Sequence, residues 1–207
     1  MSIASARTVP TYPDPGESSP YEVTYDDYMA MPETNRHVEV VDGVIHVTAA
    51  ATPYHQKVSA NIQFELEVAT RRTDLGLVLP APLDVVIRRR PKLRVRQPDL
   101  VYYSNARAGF RVGDRLDLIL DGTHKPDLVV EILSPGEDER TLAGKLADYG
   151  SIEIDEVWLA DQAAKSIRVL ARDGAGYRPA GENCAGARIA SAVLGGIDLD
   201  PAAIFGG

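Results

Sequence analysis

Carboxylates inside an apolar run need a chemical reason. The stretch Lys125-Pro126-Asp127-Leu128-Val129-Val130-Glu131-Ile132-Leu133-Ser134-Pro135 is fenced by prolines and carries aliphatic side chains on both faces. That is the pattern of a strand buried in mid-sheet. Asp127 and Glu131 interrupt it. A buried charge without a partner costs several kcal/mol or is neutralised by a pKa shift. Glu131 therefore calls for a metal ion, a cationic partner or a catalytic pair. Asp127 shares its face but stands four residues away, roughly 13 Å along an extended chain, too far to share one ion. A second ligand has to come from a neighbouring strand, about 4.8 Å away. Pro98–Tyr103 opens with Pro-Asp-Leu-Val, the same tetrapeptide as Pro126–Val129. If the two strands run antiparallel, Asp99 approaches Glu131 and Asp127 does not. Two carboxylates with a backbone carbonyl suit Mg²⁺ or Mn²⁺, which take oxygen ligands and keep several waters. Leu133 occupies the position where a lysine would complete a strand-borne Glu-x-Lys, so the ammonium must come from elsewhere. Lys145, beside the apolar stripe of the following helix, is the obvious donor.

Each residue also has a plainer reading. Glu131 could belong to a buried ion pair, and Asp99 could be a strand-start residue after proline. Asp127 has the same local chemistry, and there the plainer reading is preferred. Lys145 alone reads as a surface lysine with its stem laid along apolar surface.

The elements that must position these groups follow from periodicity and turn signals. Pro10, Pro13, Pro15 and Pro20 lie among Ser, Thr and Gly, so residues 1–20 are expected to form a flexible lead-in to a single domain over 21–207. Thr24 caps a short helix over Tyr25–Met31, stopped by Pro32. Val38–Val47 reads as a β-hairpin turning at Asp42-Gly43, with Glu39 in its first arm. Thr52-Pro53 opens a helix to about Arg72, with His55 in its first turn and an inward stripe of Val58, Ile62, Leu66 and Ala69. Leu77–Arg88 is expected as one strand containing Asp84. A basic connection, Arg88 to Arg96, follows; it reads as solvated, or as a phosphate track if it faces the pocket. Val112–Leu120 is a connection. Glu137–Tyr149 is a helix with Leu142, Leu146 and Tyr149 on its buried face. Strands at Glu156–Ala160 and Ser166–Ala171 and a short helix opened by Asp200-Pro201 complete the chain.

Composition narrows the setting. The chain has 207 residues, enough for a real core, and a formal charge of −8. No global positive field draws in nucleic acid, so a local patch would have to do so. The single cysteine, Cys184, cannot form an internal disulfide and fits a reducing compartment. No apolar run reaches the roughly 18–20 residues that span a membrane, and the first residues lack a secretory hydrophobic core. The expected location is cytoplasmic.

Six segments, in order, resemble the Uma-two family, restriction-endonuclease-like proteins of the PD-(D/E)XK nuclease superfamily. They are Val38-Glu39-Val40-Val41-Asp42-Gly43, Pro53-Tyr54-His55-Gln56, Gln97-Pro98-Asp99-Leu100, Pro126 through Pro135, Lys145-Leu146-Ala147-Asp148-Tyr149 and Glu156-Val157-Trp158-Leu159-Ala160-Asp161. The resemblance runs from about Tyr25 to Phe205. It implies an α/β (α+β) restriction-endonuclease-like core: a mixed, mostly antiparallel central sheet flanked by helices, here with an N-terminal β-hairpin. It also implies Mg²⁺-dependent endonuclease activity on DNA, with Mn²⁺ as a substitute, and a homodimer that brings two active sites to two strands. By position, Asp99 matches the acidic residue of the second motif and Glu131 that of the third, the two metal ligands. Lys145 matches the lysine that has moved from strand to helix. Glu39 and His55 match further polar positions of the pocket, and Asp84 an aspartate in the preceding strand. Arg88, Arg90 and Lys92 are the candidate phosphate contacts. Two departures stand out. Gly136-Glu137-Asp138-Glu139-Arg140 is more acidic than in relatives, and Gly150-Ser151-Ile152-Glu153-Ile154 replaces a glycine-containing turn.

The implied chemistry is hydrolysis of a phosphodiester at a metal held by Asp99 and Glu131. Lys145 would stabilise charge or orient water, Glu39 would complete the metal shell, and His55 would relay a proton or contact phosphate. Two readings compete with it. One is a catalytically inactive nuclease-fold protein that binds nucleic acid or a protein partner. The other is a metallo-hydrolase for a smaller phosphorylated substrate.

Overall fold

The computed structural model describes residues 10–108, 124–134, 138–184, 188–195 and 198–206. The connection expected at Val112–Leu120 falls outside them, as do the second fencing proline, Pro135, and the acidic Gly136-Glu137.

Local sequence explains most of the first half. Strand β1 (Ser18–Glu22) leads to helix α1 (Tyr25–Met29). Thr24 and Asp27 cap α1 reciprocally: each side chain accepts from the other's backbone N–H. Strands β2 (Val38–Val41) and β3 (Val44–Val47) form the expected hairpin. Its turn needs two residues with positive φ, and Asp42 at 50° and Gly43 at 86° supply them. Helix α2 (Pro53–Thr73) begins with Thr52 as cap and proline in its first turn. Val58, Ile62 and Leu66 are its fully buried stripe. Then come β4 (Gly76–Pro80), β5 (Val85–Arg88), β6 (Arg94–Arg96), β7 (Leu100–Ser104) and the single turn α3 (Asn105–Ala108). Beyond the gap lie β8 (Leu128–Leu133), α4 (Glu139–Ser151), β9 (Glu156–Asp161), β10 (Ser166–Asp173), β11 (Gly176–Cys184), β12 (Ile189–Ala190), β13 (Asp198–Leu199) and α5 (Pro201–Phe205).

The strands form a five-stranded sheet in the order β1-β3-β2-β6-β5, a six-stranded sheet in the order β11-β10-β9-β8-β7-β4, and a small β12-β13 pair. Every described pairing is antiparallel except β8 with β9. That parallel pair needs a crossover, and α4 supplies it. The expected mixed, mostly antiparallel α+β architecture is therefore present.

Alternation along β8 sorts the core. Leu128, Val130 and Ile132 pack with Val58, Ile62 and Leu66 of α2 and with Ile204 of α5. On the other face, Val129 and Leu133 pack with Tyr149 of α4, with Ile152 just past its end and with Val85 of β5. Glu131, between Val129 and Leu133, therefore points to the α4 side. A third cluster, including Val38, Val40, Ile45 and Val95, packs against Tyr28 and Met31 and holds the five-stranded sheet to α1. Helix α4 runs so close to the β10–β11 turn that a Cβ on Gly150 would collide with the Ala175 carbonyl, which limits that position to glycine.

Four expectations change. Residues 10–20 do not all hang free as a lead-in: Ser18–Glu22 pairs with β3, Gly16 N donates to Val47 O at 2.7 Å, and Tyr12 packs on the third cluster. Backbone pairing there outweighs a Pro- and Ser-rich composition. The single strand expected at Leu77–Arg88 is two, in different sheets. Pro80 and Pro82 cannot donate to a ladder, and the chain crosses between sheets there. The basic connection after Arg88 is half strand, because Arg94, Val95 and Arg96 form β6. Strand β11 was not expected, since Gly176, Pro179 and Gly181 obscure its periodicity. It is an edge strand, irregular opposite Val169 and Leu170, where proline is tolerated.

Candidate active site

Antiparallel pairing of β7 with β8 matches Leu100 to Val130 and Val101 to Val129. Asp99 is the residue before this ladder, at the end of the sheet where β8 continues into Glu131 and Ile132. Asp99 Oδ2 accepts a hydrogen bond from Ile132 N at 2.7 Å. Its Oδ1 lies 3.3 Å from His55 Nε2. His55 comes from α2, on the other side of the sheet, and reaches Asp99 at the sheet end.

Glu131 is 4% exposed. Lys145 Nζ donates to its Oε2 at 2.8 Å, and the Tyr149 hydroxyl donates to its Oε1. Lys145 and Tyr149 are four residues apart on α4, one helical turn, so they reach the same target. Asp148, between them, accepts from Arg96 Nε at 2.8 Å and from Arg94 Nη1 at 2.7 Å. Arg96 Nη1 donates to Glu39 Oε2 at 2.7 Å, and Gln97 N approaches Glu39 Oε1 at 3.4 Å. A chain of buried charge thus runs from the β2 strand through Arg96 to α4.

Electrostatics follow from that arrangement. Burial holds the Glu131 carboxyl above the usual range. Lys145 pulls it down, while the negative charges of Asp99 and Glu39 push it up. The hydrogen bond to Asp99 raises His55, against the effect of burial, and favours its charged form. Burial and the neighbouring Glu131 push the Tyr149 phenol well up, so it stays a hydrogen-bond donor. Burial works against the Arg96 guanidinium, but Glu39 and Asp148 more than offset it.

No three Asp, Glu, His or Cys side chains among the described residues gather closely enough for an all-protein metal cage. The donor chemistry instead fits a water-rich ion such as Mg²⁺, which is commonly bound through one or two carboxylates. Asp99 and Glu131 offer those two. The upward push of Asp99 and Glu39 on Glu131 marks a concentration of negative charge that a cation would relieve.

The remaining sequence candidates lie elsewhere. Arg88 ends β5 and Lys92 lies in the turn before β6; they pair with Asp42 at 2.9 Å and Glu22 at 2.5 Å. Exposed Arg90 lines an open cavity of about 700 Å³ with Tyr25 and Gly43. The ion pairs of Arg88 and Lys92 thus go to Asp42 and Glu22, not to Asp99 or Glu131. Asp127 serves the strand end, accepting from Ser104 N at 2.7 Å. Asp84 accepts from Tyr28 Oη at 3.0 Å and from Gln97 Nε2 at 2.7 Å. None of these bonds goes to Asp99 or Glu131; Asp84 ties α1 to the segment that carries Asp99.

Burial raises the Asp84 carboxyl, more than its hydrogen bonds to Gln97 and Tyr28 lower it. The sign follows: the folded state holds this proton more tightly than the unfolded chain. Its contribution to stability is greatest below about pH 4 and is lost as pH rises through the raised value. Uncharged Asp84→Asn should therefore gain in stability relative to wild type between pH 4 and pH 7. Urea midpoints at the two pH values measure this, and a pH-independent difference would contradict it.

Three participants escaped the sequence reading: Arg96, Asp148 and Tyr149. The spacing of Lys145, Asp148 and Tyr149 on one helical face was a visible signal. Arg96 was not visible, because its strand was read as a connection.

Comparisons with known proteins bear on the family and the fold. The model of the Uma2 family, described as "Putative restriction endonuclease", matches residues 25–202. A crystal structure described as that of "a putative nuclease belonging to DUF820 from Anabaena variabilis ATCC 29413" has a TM-score of 0.70 at 16% identity, covering 88% of this chain and 97% of that one. At that identity the likeness shows the fold. A search of curated proteins finds no match.

Proposed function

The chain belongs to the Uma2 family, and from that premise we propose that it is a Mg²⁺-dependent endodeoxyribonuclease acting at Asp99, Glu131 and Lys145. The observation that supports this reading is that Asp99 Oδ2 accepts from Ile132 N, the residue after Glu131, with a helix-borne ammonium at 2.8 Å from the Glu131 carboxylate.

Asp99 and Glu131 would hold the divalent ion. When bound, such an ion polarises a phosphoryl oxygen and lowers the pKa of a coordinated water. In the hydrolysis, a water oxygen bonds to phosphorus, the ester P–O bond breaks, and the leaving oxygen takes a proton. Lys145 stabilises the negative charge that develops on the phosphoryl oxygens, which is worth most in a site closed to bulk water. His55, whose pKa the hydrogen bond to Asp99 raises, contacts phosphate or passes a proton. Glu39 is pinned by Arg96 and adds to the negative potential that retains the cation. DNA as substrate, a homodimer that cuts both strands, and a cytoplasmic setting belong to the same proposal. Among the described residues no helix is long and apolar enough to cross a membrane.

One observation favours a second reading, a catalytically inactive protein that binds nucleic acid or a partner. Glu131 and Glu39 are each already paired with a cation, as in a nuclease fold that has given up its metal. Nicking of supercoiled plasmid separates the two. Wild type with Mg²⁺ should nick, and omission of Mg²⁺ or Asp99→Ala should abolish nicking. Asp99→Ala cutting at the wild-type rate would refute the site. A protein that shifts DNA in a gel without cutting would support the second reading.

A further inference from the structure

Tyr149 is fully buried, and its hydroxyl is spent on Glu131 Oε1. Phenylalanine would fill the same apolar space among Val129, Ile152 and Leu159. The hydroxyl is thus the only part of this side chain that the core does not explain.

Glutamate has three rotatable side-chain bonds. A site with two carboxylates and several waters depends on how narrowly each carboxylate is aimed. Lys145 aims Glu131 poorly, because its own stem is flexible and its ammonium is a point charge. A phenol has two torsions, and this one is locked by packing. Its helix is fixed as well. Gly150 lies against the Ala175 carbonyl, and Asp148 is held by Arg94 and Arg96. With Oε1 held by Tyr149, Oε2 is the oxygen that accepts from Lys145.

We infer that Tyr149 is a positioning residue that aims Glu131 at a divalent cation; the inference rests on the metal reading proposed above. Carboxylate and imidazole ligands are commonly oriented by such outer contacts, and their loss weakens metal affinity 10–100-fold.

The test is Mn²⁺ binding to the full-length, metal-free protein, followed by titration calorimetry or by the electron paramagnetic resonance of free Mn²⁺. Tyr149→Phe should weaken the Mn²⁺ Kd by about 10–100-fold. Leu146→Ala removes packing from the same cluster and takes no hydrogen bond from Glu131. It should lower the melting temperature yet leave the Kd within about twofold of wild type. In nicking assays, Tyr149→Phe should need more Mg²⁺ for half-maximal rate and recover most of its rate at saturation. A Tyr149→Phe protein that binds Mn²⁺ as tightly as wild type overturns the positioning role and leaves the metal site standing. Equal weakening in both variants also overturns it, because general loosening of the core would then suffice. Wild type that binds no Mn²⁺ overturns this inference and the metal reading together.

Discussion

Glu131→Gln is expected to cut Mg²⁺-dependent nicking by at least about a hundredfold without unfolding the protein. The amide matches the carboxylate in shape and can still accept from the Tyr149 hydroxyl. It cannot offer a full negative charge to a cation. Stability should move the other way from activity. Burial raises the Glu131 carboxyl more than Lys145 lowers it, and Asp99 and Glu39 add to the rise. A group whose folded pKa is raised weakens the fold as pH climbs from the unfolded value through the folded one. At neutral pH the uncharged amide should thus melt no lower than wild type. Nicking at 37 °C and thermal melts at pH 7 read both halves. A variant that cuts within a few-fold of wild type would remove Glu131 from the chemistry. One that melts far lower would mean that its pairing with Lys145 holds the fold.

Arg96→Met carries the largest expected loss of stability, about 3–5 kcal/mol. Arg96 is 5% exposed and bridges Glu39 of β2 and Asp148 of α4. Methionine fills much of its stem but leaves two buried carboxylates facing each other. Asp148 keeps Arg94 at 2.7 Å; among the described residues Glu39 keeps the long contact from Gln97 N at 3.4 Å. Removing that second charge as well, in Glu39→Gln/Arg96→Met, should recover part of the loss. A coupling of about 1–3 kcal/mol is expected for residues in one network. Urea unfolding of the four proteins in the cycle measures it. A single-variant loss below about 1 kcal/mol would mean that water already screens this network.

Both predictions depend on contacts between segments far apart in the chain, and such contacts separate what could be read early from what could not. The sequence by itself determined the local elements. Thr24 and Asp27, Thr52-Pro53, Asp42-Gly43 and Asp200-Pro201 each encode a start or a turn within four residues, where backbone geometry leaves few options. It also marked Glu131 as anomalous, because a charge in a strand apolar on both faces is costly wherever that strand lies. Strand rise favours Asp99 over Asp127 if the two strands run antiparallel, and β7 and β8 do.

Only the tertiary structure decided which charges meet. Arg94 and Arg96 look the same as Arg88 and Arg90 in a basic run. Whether an arginine is solvated or buried depends on the sheet its strand joins, and β6 joins β2. Tyr149 reads as one more apolar residue of a helical stripe, since nothing local says where its hydroxyl ends. The helix that fills the parallel β8–β9 crossover sets that direction. Local signals act over a few bonds and are written in adjacent residues. The partners of buried charges are chosen by packing across dozens of residues, where many pairings satisfy the same pattern.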